Sequence, residues 1–547
     1  NIICSDKTGT ITENKMLVKN IFVNDNLYTE TENIENMNYL KLCASCCHNV
    51  TKNGDKYLGD ETEVSIYKYL EKYNIDYNKL KRTNEYPFDS DRKMMSTINI
   101  IYGKNYSFTK GSLDSILSAS SYYIIDNKIM PLTKEYKDKV LEIEKSLSQR
   151  SLRTLAFAFK NEGLEDPEKN MIFIGLISMM DPPRPAVYNA INICNRAGLK
   201  PIMITGDSLN TAVAIAKDIG IISDENKAIE GKVIDKMSDD EFKANINKYQ
   251  VYARISPNTK LRIVETLQNC GYVVAMTGDG VNDAPAIQKA DIGIGMGVTG
   301  TEVVKKVADC ILIDDSFSTI VDGVEEGRRI TQNIKKVILY LLAGNIIEVI
   351  LVFISMLMNM EMFTTLQLLW LNLVTDSIPA ICLAFEKADN DVMEDLPSNK
   401  SNKSFFTPLL TSKIAIGAIF KSIVMLALFV YFAKTADINT ASSLLFIFLV
   451  GHELLYSFSC RNIKKSVLNK NIFSNIRLTI GVFSLTLIQI IVLTTGLSKY
   501  FIVGNLNLQN VSITIIVLFL TFIIGELVKP IYNKLFKDYT KGKNYEK

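Results

Sequence analysis

At 547 residues the chain has room for several domains, and its 61 Lys and Arg against 59 Asp and Glu leave a formal charge of +2, which gives no hint of a polyanion-binding surface. No nucleic-acid partner is expected. Nine cysteines scattered at positions 4, 43, 46, 47, 194, 270, 310, 382 and 460 form no disulfide framework, and the early ones suit a reducing compartment.

The chain opens with "NIICSDKTGT", in which Asn1 to Cys4 read as a short buried strand that Gly9 ends. Asp6 therefore sits at the carboxyl end of a strand, a position suited to meeting a ligand. "CASCCH", Cys43 to His48, reads as ordinary helix packing, because no second Cys/His pair follows at zinc spacing. "GDETEVSIYKYLEKY" reads as a helix with Thr62 and Glu63 near its start. "EYPFDSDRKMMSTINIIY" and "KNYSFTKGSLDSIL" read as strands with polar turns, the second leading into a helix. Roughly 155 residues separate the first strand from "FIGLISMMDPPRPAV", too long a gap for a loop, so an inserted domain is expected over about 20–172. If that domain holds adenine, it needs an aromatic face and cations for the phosphates. Phe88, Lys93, Lys110 and Arg153 are candidates that composition alone does not select.

Three later stretches look built to hold phosphate near Asp6. "KPIMITGDSLNTA" is a strand ending in Thr205-Gly206-Asp207 with a helix behind it. "GYVVAMTGDGVNDAPAI" repeats the design with Thr277-Gly278-Asp279-Gly280 and then Asn282-Asp283. Glycine at such junctions lets backbone donors approach an anion. Between them, "VYARISPNTKLRIVETL" puts Arg254 after a short strand and Lys260 at a helix start. Were Asp6 to attack a nucleotide's terminal phosphate, two anions would meet, so a divalent cation and a lysine would be needed. Asp6, Asp279 and the Thr8 carbonyl supply hard oxygen ligands for Mg2+, Lys260 the point charge, and Thr205, Gly206 and Asn282 the donors. Any one glycine–aspartate pair could be only a turn; their combination with Asp6 and Lys260 is not the pattern of turns.

From about residue 334 the composition changes to apolar runs separated by short links. Six are long enough to span a bilayer: roughly 334–359, 366–386, 411–433, 440–460, 476–497 and 510–529. Arg461, Lys464, Lys465, Lys470 and Arg477, with Lys529, Lys534, Lys537, Lys541, Lys543 and Lys547 near the end, lie on one side, against Lys434 and Lys499 on the other. The positive-inside rule puts the basic links, the tail and the large polar half in the cytoplasm. Within the runs, Asn345 and Glu348 stand three apart on one face, Asn372, Thr375 and Asp376 follow at i, i+3 and i+4, and Glu453 lies in "VGHELLY". Acidic groups in lipid are costly and usually functional, and this oxygen-only set suits a hard cation such as calcium. His452 reads as packing.

"SDKTGT", "TGD", "DPPR" (Asp181 to Arg184) and "TGDGVNDAPA" resemble the signature set of P-type ATPases. The resemblance implies a haloacid-dehalogenase-like α/β phosphorylation domain over 1–19 and 173–333, an inserted α+β nucleotide-binding domain over 20–172, an all-α bundle of six transmembrane helices over 334–531 and a cytoplasmic tail over 532–547. It implies that Asp6 becomes an aspartyl phosphate, that Asp207 and Asp283 belong to the catalytic set, and that ATP meets Glu63, Phe88, Lys93, Lys110, Arg153 and Arg254. The "N..E", "N..TD" and later glutamate pattern is similar to calcium pumps of the sarcoplasmic or endoplasmic reticulum type, which implies Asn345, Glu348, Asn372, Thr375, Asp376 and Glu453 as calcium ligands. Another hard cation, Mn2+, Na+/K+ or H+, stays open. Family members carry four helices and an actuator domain ahead of the aspartate, so no sustained transport is expected of this chain without them as a partner. Two readings from other classes stand beside the pump: a metal-dependent phosphatase or phosphotransferase, and a non-catalytic nucleotide- or ion-binding membrane subunit.

Overall fold

The computed structural model describes residues 1–547 except 33, 35, 55, 74–79, 102, 151, 390–391, 395–396, 398–404, 469–471 and 537–547. Lys470, Lys537, Lys541, Lys543 and Lys547 lie outside the described residues, as does most of the tail. The chain divides into two compact units, Asn1–Val321 and Asp322–Lys547.

The first unit holds two large sheets. Its seven-stranded sheet runs in the order 228–230, 251–253, 200–204, 2–6, 274–278, 292–296 and 310–312, and every pairing in it is parallel. A parallel sheet covered on both faces needs continuous apolar strands, and Ile2, Ile3, Cys4, Ile202, Met203, Ile204, Val274 and Met276 are all buried. Strand Ile2–Asp6 lies at the centre, with Lys200–Ile204 on one side and Val274–Gly278 on the other. Chain order reverses there, which opens a crevice at the carboxyl ends of these three strands.

The nine-stranded sheet is mainly antiparallel, with the order 128–131, 120–125, 171–180, 153–160, 104–111, 94–101 and 81–89. Strand Leu17–Val23 pairs with Gly175–Met180 and with Asn26–Thr29. The expected limits at 20 and 172 therefore cut through two strands: the sheet starts at Leu17 and ends at Met180. Both are single uninterrupted strands, so the chain enters and leaves this sheet as a pair of hydrogen-bonded neighbours rather than through loops.

Helix Asn38–Cys46 and its cap Cys47 bury Cys43, Cys46 and Cys47 in the core of this sheet, and the Sγ of Cys47 donates to the Met95 carbonyl. Packing accounts for the cysteine cluster. His48, just beyond, accepts at Nδ1 from the Val50 amide and meets the Tyr67 ring edge-on at 5.1 Å. Burial, reinforced by Lys110, pushes the His48 pKa down from 6.5 to about 4. The unfolded chain then takes a proton near pH 6.5 that the fold refuses until about pH 4, so stability is complete above that window and falls within it. Urea unfolding of the first unit should lose up to about 3 kcal/mol between those limits, and His48→Gln should flatten the slope.

Among its described residues the second unit contains six helices long and apolar enough to cross a membrane: Phe317–Met358, whose first residues belong to the first unit, Thr365–Ala384, Pro408–Thr435, Ile438–Cys460, Ile476–Thr494 and Leu508–Leu535. Five of them match the expected runs closely. The first is a single helix of 42 residues that begins well before 334. Its early turns are charged yet helical: Arg329 pairs with Glu326, and its Nη1 donates to the Glu386 carbonyl. Ile438–Cys460 is the most enclosed of the six. At one end of the bundle, Arg461 makes a two-pronged pair with Glu386 at 3.0 and 2.9 Å, and Asn475 donates to the same carboxylate at 2.7 Å.

Candidate functional site

Asp6 closes the central strand, and the turn after it is tight. Its Oδ1 accepts the Lys7 amide at 2.6 Å, and Gly9 adopts φ +76, a left-handed conformation that side chains disfavour. Lys260, from the first turn of helix Pro257–Asn269, reaches across and donates to Asp6 Oδ2 at 2.8 Å and to Asp283 Oδ1 at 2.6 Å. Its side chain is only 8% exposed. Oxygens of Asp6, Asp279 and Asp283 lie within 4.8 Å of one another. Gly278 makes this possible, because a Cβ there would stand 2.5 Å from that of Asp283.

Burial favours the uncharged forms of Asp6, Asp279 and Lys260. It raises the Asp6 pKa, with Lys260 opposing and Asp283 adding to the rise. It raises that of Asp279, where Asp6 and Asp283 add to the effect. Burial alone would lower the Lys260 pKa, but Asp6 and Asp283 outweigh it and the ammonium is held above its ordinary value. Three carboxylates facing one ammonium leave a surplus of negative charge and hard oxygen atoms, a set that fits a divalent cation such as Mg2+.

Thr205 is buried, its backbone paired with Tyr252 and Ile255, and its Oγ1 accepts the Asp207 amide at 3.1 Å. Gly206 has open space where a side chain would be. Asp207 pairs with Lys7 at 2.7 Å, a contact between the two loops that spacing did not reveal. Asn282 is exposed in the turn Val281–Asp283. Thr8 follows Asp6 within the same turn. Asp181 and Arg184 staple that turn from outside: Asp181 accepts Thr12 Oγ1 at 2.5 Å, and Arg184 Nη2 donates to the Gly9 carbonyl at 2.9 Å.

The nucleotide candidates divide between the sheets. Glu63, in the first turn of helix Glu61–Glu71, forms an ion pair with the buried Lys110 and accepts the Asn49 amide at 2.7 Å. Phe88 is 64% exposed on strand Lys81–Asp89, and Lys93 takes φ 54 in the turn to strand Met94–Ile101, next to the strand of Lys110. Arg153 is exposed at the start of strand Arg153–Lys160. Arg254 is on the other sheet, with φ 52, its amide on the Asp207 carbonyl and its guanidinium 3.9 Å from Glu230. The structure thus leaves it beside the Asp207 loop rather than among the other five.

In the second unit, Asn372 donates to Glu348 Oε2 at 2.8 Å, and Thr375 Oγ1 lies 3.0 Å from Glu453 Oε2. Leu371–Thr375 is a wide turn, in which the Thr375 hydroxyl also reaches the Leu371 carbonyl at 2.7 Å. Glu348, Thr375, Asp376 and Glu453 are buried. Glu348 Oε1 and Glu453 Oε1 have no hydrogen-bond partner among the described residues, an arrangement that a bound cation would complete. Gly344 lies beside Glu453, for a Cβ there would stand in ordinary contact with Glu453 Oε1 at 3.7 Å. Asn345 is exposed although Glu348, three residues on, is buried, so the two do not share an enclosed face in this unit. His452 stacks on Tyr456, which fits packing.

A family model described as "P-type ATPase, cytoplasmic domain N" matches residues 35–186, and one described as "Cation transporting ATPase, C-terminus" matches 360–531. Among curated proteins, the chain is 38% identical to Calcium-transporting ATPase 1 of Bacillus cereus, over 96% of this chain and 63% of that protein. It is 35% identical to the Calcium-transporting ATPase of Bacillus subtilis, over 90% of this chain and 59% of the relative. With the human Calcium-transporting ATPase type 2C member 1 it shares 31% identity, over 97% of this chain and 60% of the relative. The chain thus spans about three-fifths of the length of these relatives. With two family models matched and such identity sustained along nearly all of its length, the chain belongs to the P-type cation-transporting ATPases.

Proposed function

We propose that the chain carries the phosphorylating, nucleotide-binding and cation-binding parts of an ATP-driven calcium pump that works through an aspartyl phosphate on Asp6. The observation that carries this reading is the buried Lys260 bridging Asp6 and Asp283 at the tip of the central strand. The parallel sheet supports a haloacid-dehalogenase-like phosphorylation domain on either side of a nucleotide-binding insertion at about 17–180. In the reaction, an Asp6 oxygen forms a bond to the terminal phosphorus of ATP while the bond to the bridging oxygen breaks and ADP leaves. Lys260 and the Lys7 amide hold the Asp6 carboxylate in one orientation before attack. Thr205, Gly206 and Asn282 are the donors for the transferring oxygens. Asp6, Asp279 and the Thr8 carbonyl would hold Mg2+, which when bound neutralises charge between carboxylate and phosphate. ATP would meet Glu63, Phe88, Lys93, Lys110 and Arg153, with Arg254 nearer the phosphates.

Calcium is the cargo that the enclosed oxygen set favours, with Glu348, Thr375, Asp376 and Glu453 at its centre and Asn345 and Asn372 at its margin. The names borne by the relatives support the same ion. The lysine and arginine in the links that hold Arg461, Lys464, Lys465 and Arg477 support a cytoplasmic orientation of those links. Incubation with terminally labelled ATP, Mg2+ and calcium, followed by acid quench, should leave a label that hydroxylamine removes. A label that resists hydroxylamine, or none, would overturn the reading, and replacing calcium by manganese tests the choice of ion.

A further inference from the structure

Asp315 is a buried acid that the reaction above does not use. It is 1% exposed and adopts φ 53, a left-handed conformation that a non-glycine residue keeps only when its surroundings impose it. Its Oδ1 accepts the amides of Gly297 at 2.7 Å and Val298 at 3.1 Å; its Oδ2 accepts the Thr299 amide at 2.8 Å and the Thr299 hydroxyl at 2.9 Å. Four donors converge on one carboxylate. They outweigh the burial that would raise its pKa, and the group is held below the usual carboxylate range.

What the loop does with this anchorage is visible at its other side. A Cβ built on Gly9 would stand 3.6 Å from Thr299 Oγ1 and 3.9 Å from Asp279 Oδ2, so the Thr299 side chain, the turn after Asp6 and the Asp279 carboxylate meet at one point. The Thr301 amide donates to the Asp279 carbonyl at 2.9 Å. From the same corner, the Asp314 carbonyl accepts Arg184 Nη1 at 3.3 Å while Nη2 of that guanidinium holds the Gly9 carbonyl. The residue pair Asp314–Asp315 thus grips the Gly9 turn from two directions.

We infer that Asp315 is a positioning residue for phosphoryl transfer: through Thr299 it fixes the spacing between the turn that carries Asp6 and the Asp279 carboxylate. The inference rests on the reading of Asp6 as the phosphate acceptor. Small displacements of positioned groups cost rate without costing substrate affinity. In the full chain, Asp315→Ala and Thr299→Val should each slow phosphate incorporation from ATP at least about tenfold at unchanged half-saturating ATP, while Thr299→Ser, which keeps the hydroxyl, stays within about twofold. Labelling at the unsubstituted rate in both variants, or an equal loss in Thr299→Ser and Thr299→Val, would overturn it. Amide hydrogen exchange in Lys7–Ile11 gives a readout that needs no reaction. It should quicken in Thr299→Val and Asp315→Ala, and unchanged exchange overturns the inference even if the rates fall. Should the unsubstituted protein take no label, the Asp6 reading fails, and exchange alone decides whether Asp315 sets the turn.

Discussion

Lys260→Met is expected to reduce hydroxylamine-labile labelling at least about a hundredfold and to destabilise the first unit by about 3–5 kcal/mol at neutral pH. The two losses have one origin. The Lys260 ammonium is the group that both Asp6 Oδ2 and Asp283 Oδ1 approach within 2.8 Å, and its side chain is 8% exposed, so no water can take over its role cheaply. Without it, Asp6 and Asp283 face each other and Asp279 across a cluster whose oxygens fall within 4.8 Å. Methionine fills the volume of the stem but leaves the like charges uncompensated.

A second substitution separates chemistry from stability. In Lys260→Met with Asp6→Asn, one of the repelling charges is gone, so urea unfolding should show part of the stability restored, while labelling stays absent because the acceptor is gone. Mass spectrometry of the intact chain after acid quench measures the first effect, and the unfolding midpoint the second. Labelling of Lys260→Met within threefold of the unsubstituted protein would remove the lysine from the reaction.

The Asp6 cluster was legible because Asp6 and Asp279 stand where an apolar strand runs into a glycine turn, with Asp283 a few residues on and Lys260 at a helix start. In a parallel sheet such junctions fall on one edge, and the central place of Ile2–Asp6 brings them to one crevice. Six spans were legible from apolar length alone. Sequence spacing did not reveal where the sheets begin and end, since Leu17–Val23 and Met171–Met180 pair across a very long separation and only their partners show them to be one sheet. The early start of Phe317–Met358 was hidden because its first turns are charged, and helix-forming charged residues resemble a surface link until their partners are known. The Lys7–Asp207 pair and the hold of Asp315 on residues 297–299 are likewise contacts between distant loops. Asn345 shows the converse limit: spacing put it on the face of Glu348, but which part of a helix face is covered depends on neighbours.

The largest effect in the second unit is expected at Glu453. Its carboxylate is 1% exposed, Oε2 meets Thr375, and Oε1 has no hydrogen-bond partner among the described residues. A buried carboxylate oxygen left in this state is unfavourable for the fold and favourable for a cation. Glu453→Gln keeps the size and removes the charge, so its two consequences should have opposite signs. Calcium affinity, read by equilibrium binding of radioactive calcium to the detergent-solubilised chain, should fall about 10–100-fold, corresponding to about 1.4–2.8 kcal/mol. The melting temperature without calcium should hold or rise, because a buried acid whose Oε1 has no partner among the described residues has been replaced. Glu348→Gln should behave in the same way, for Glu348 Oε1 likewise has no hydrogen-bond partner among the described residues. A packing role for Glu453 predicts the reverse pattern, lowered melting with unchanged calcium binding, and that result would move the cation away from the cluster around Thr375.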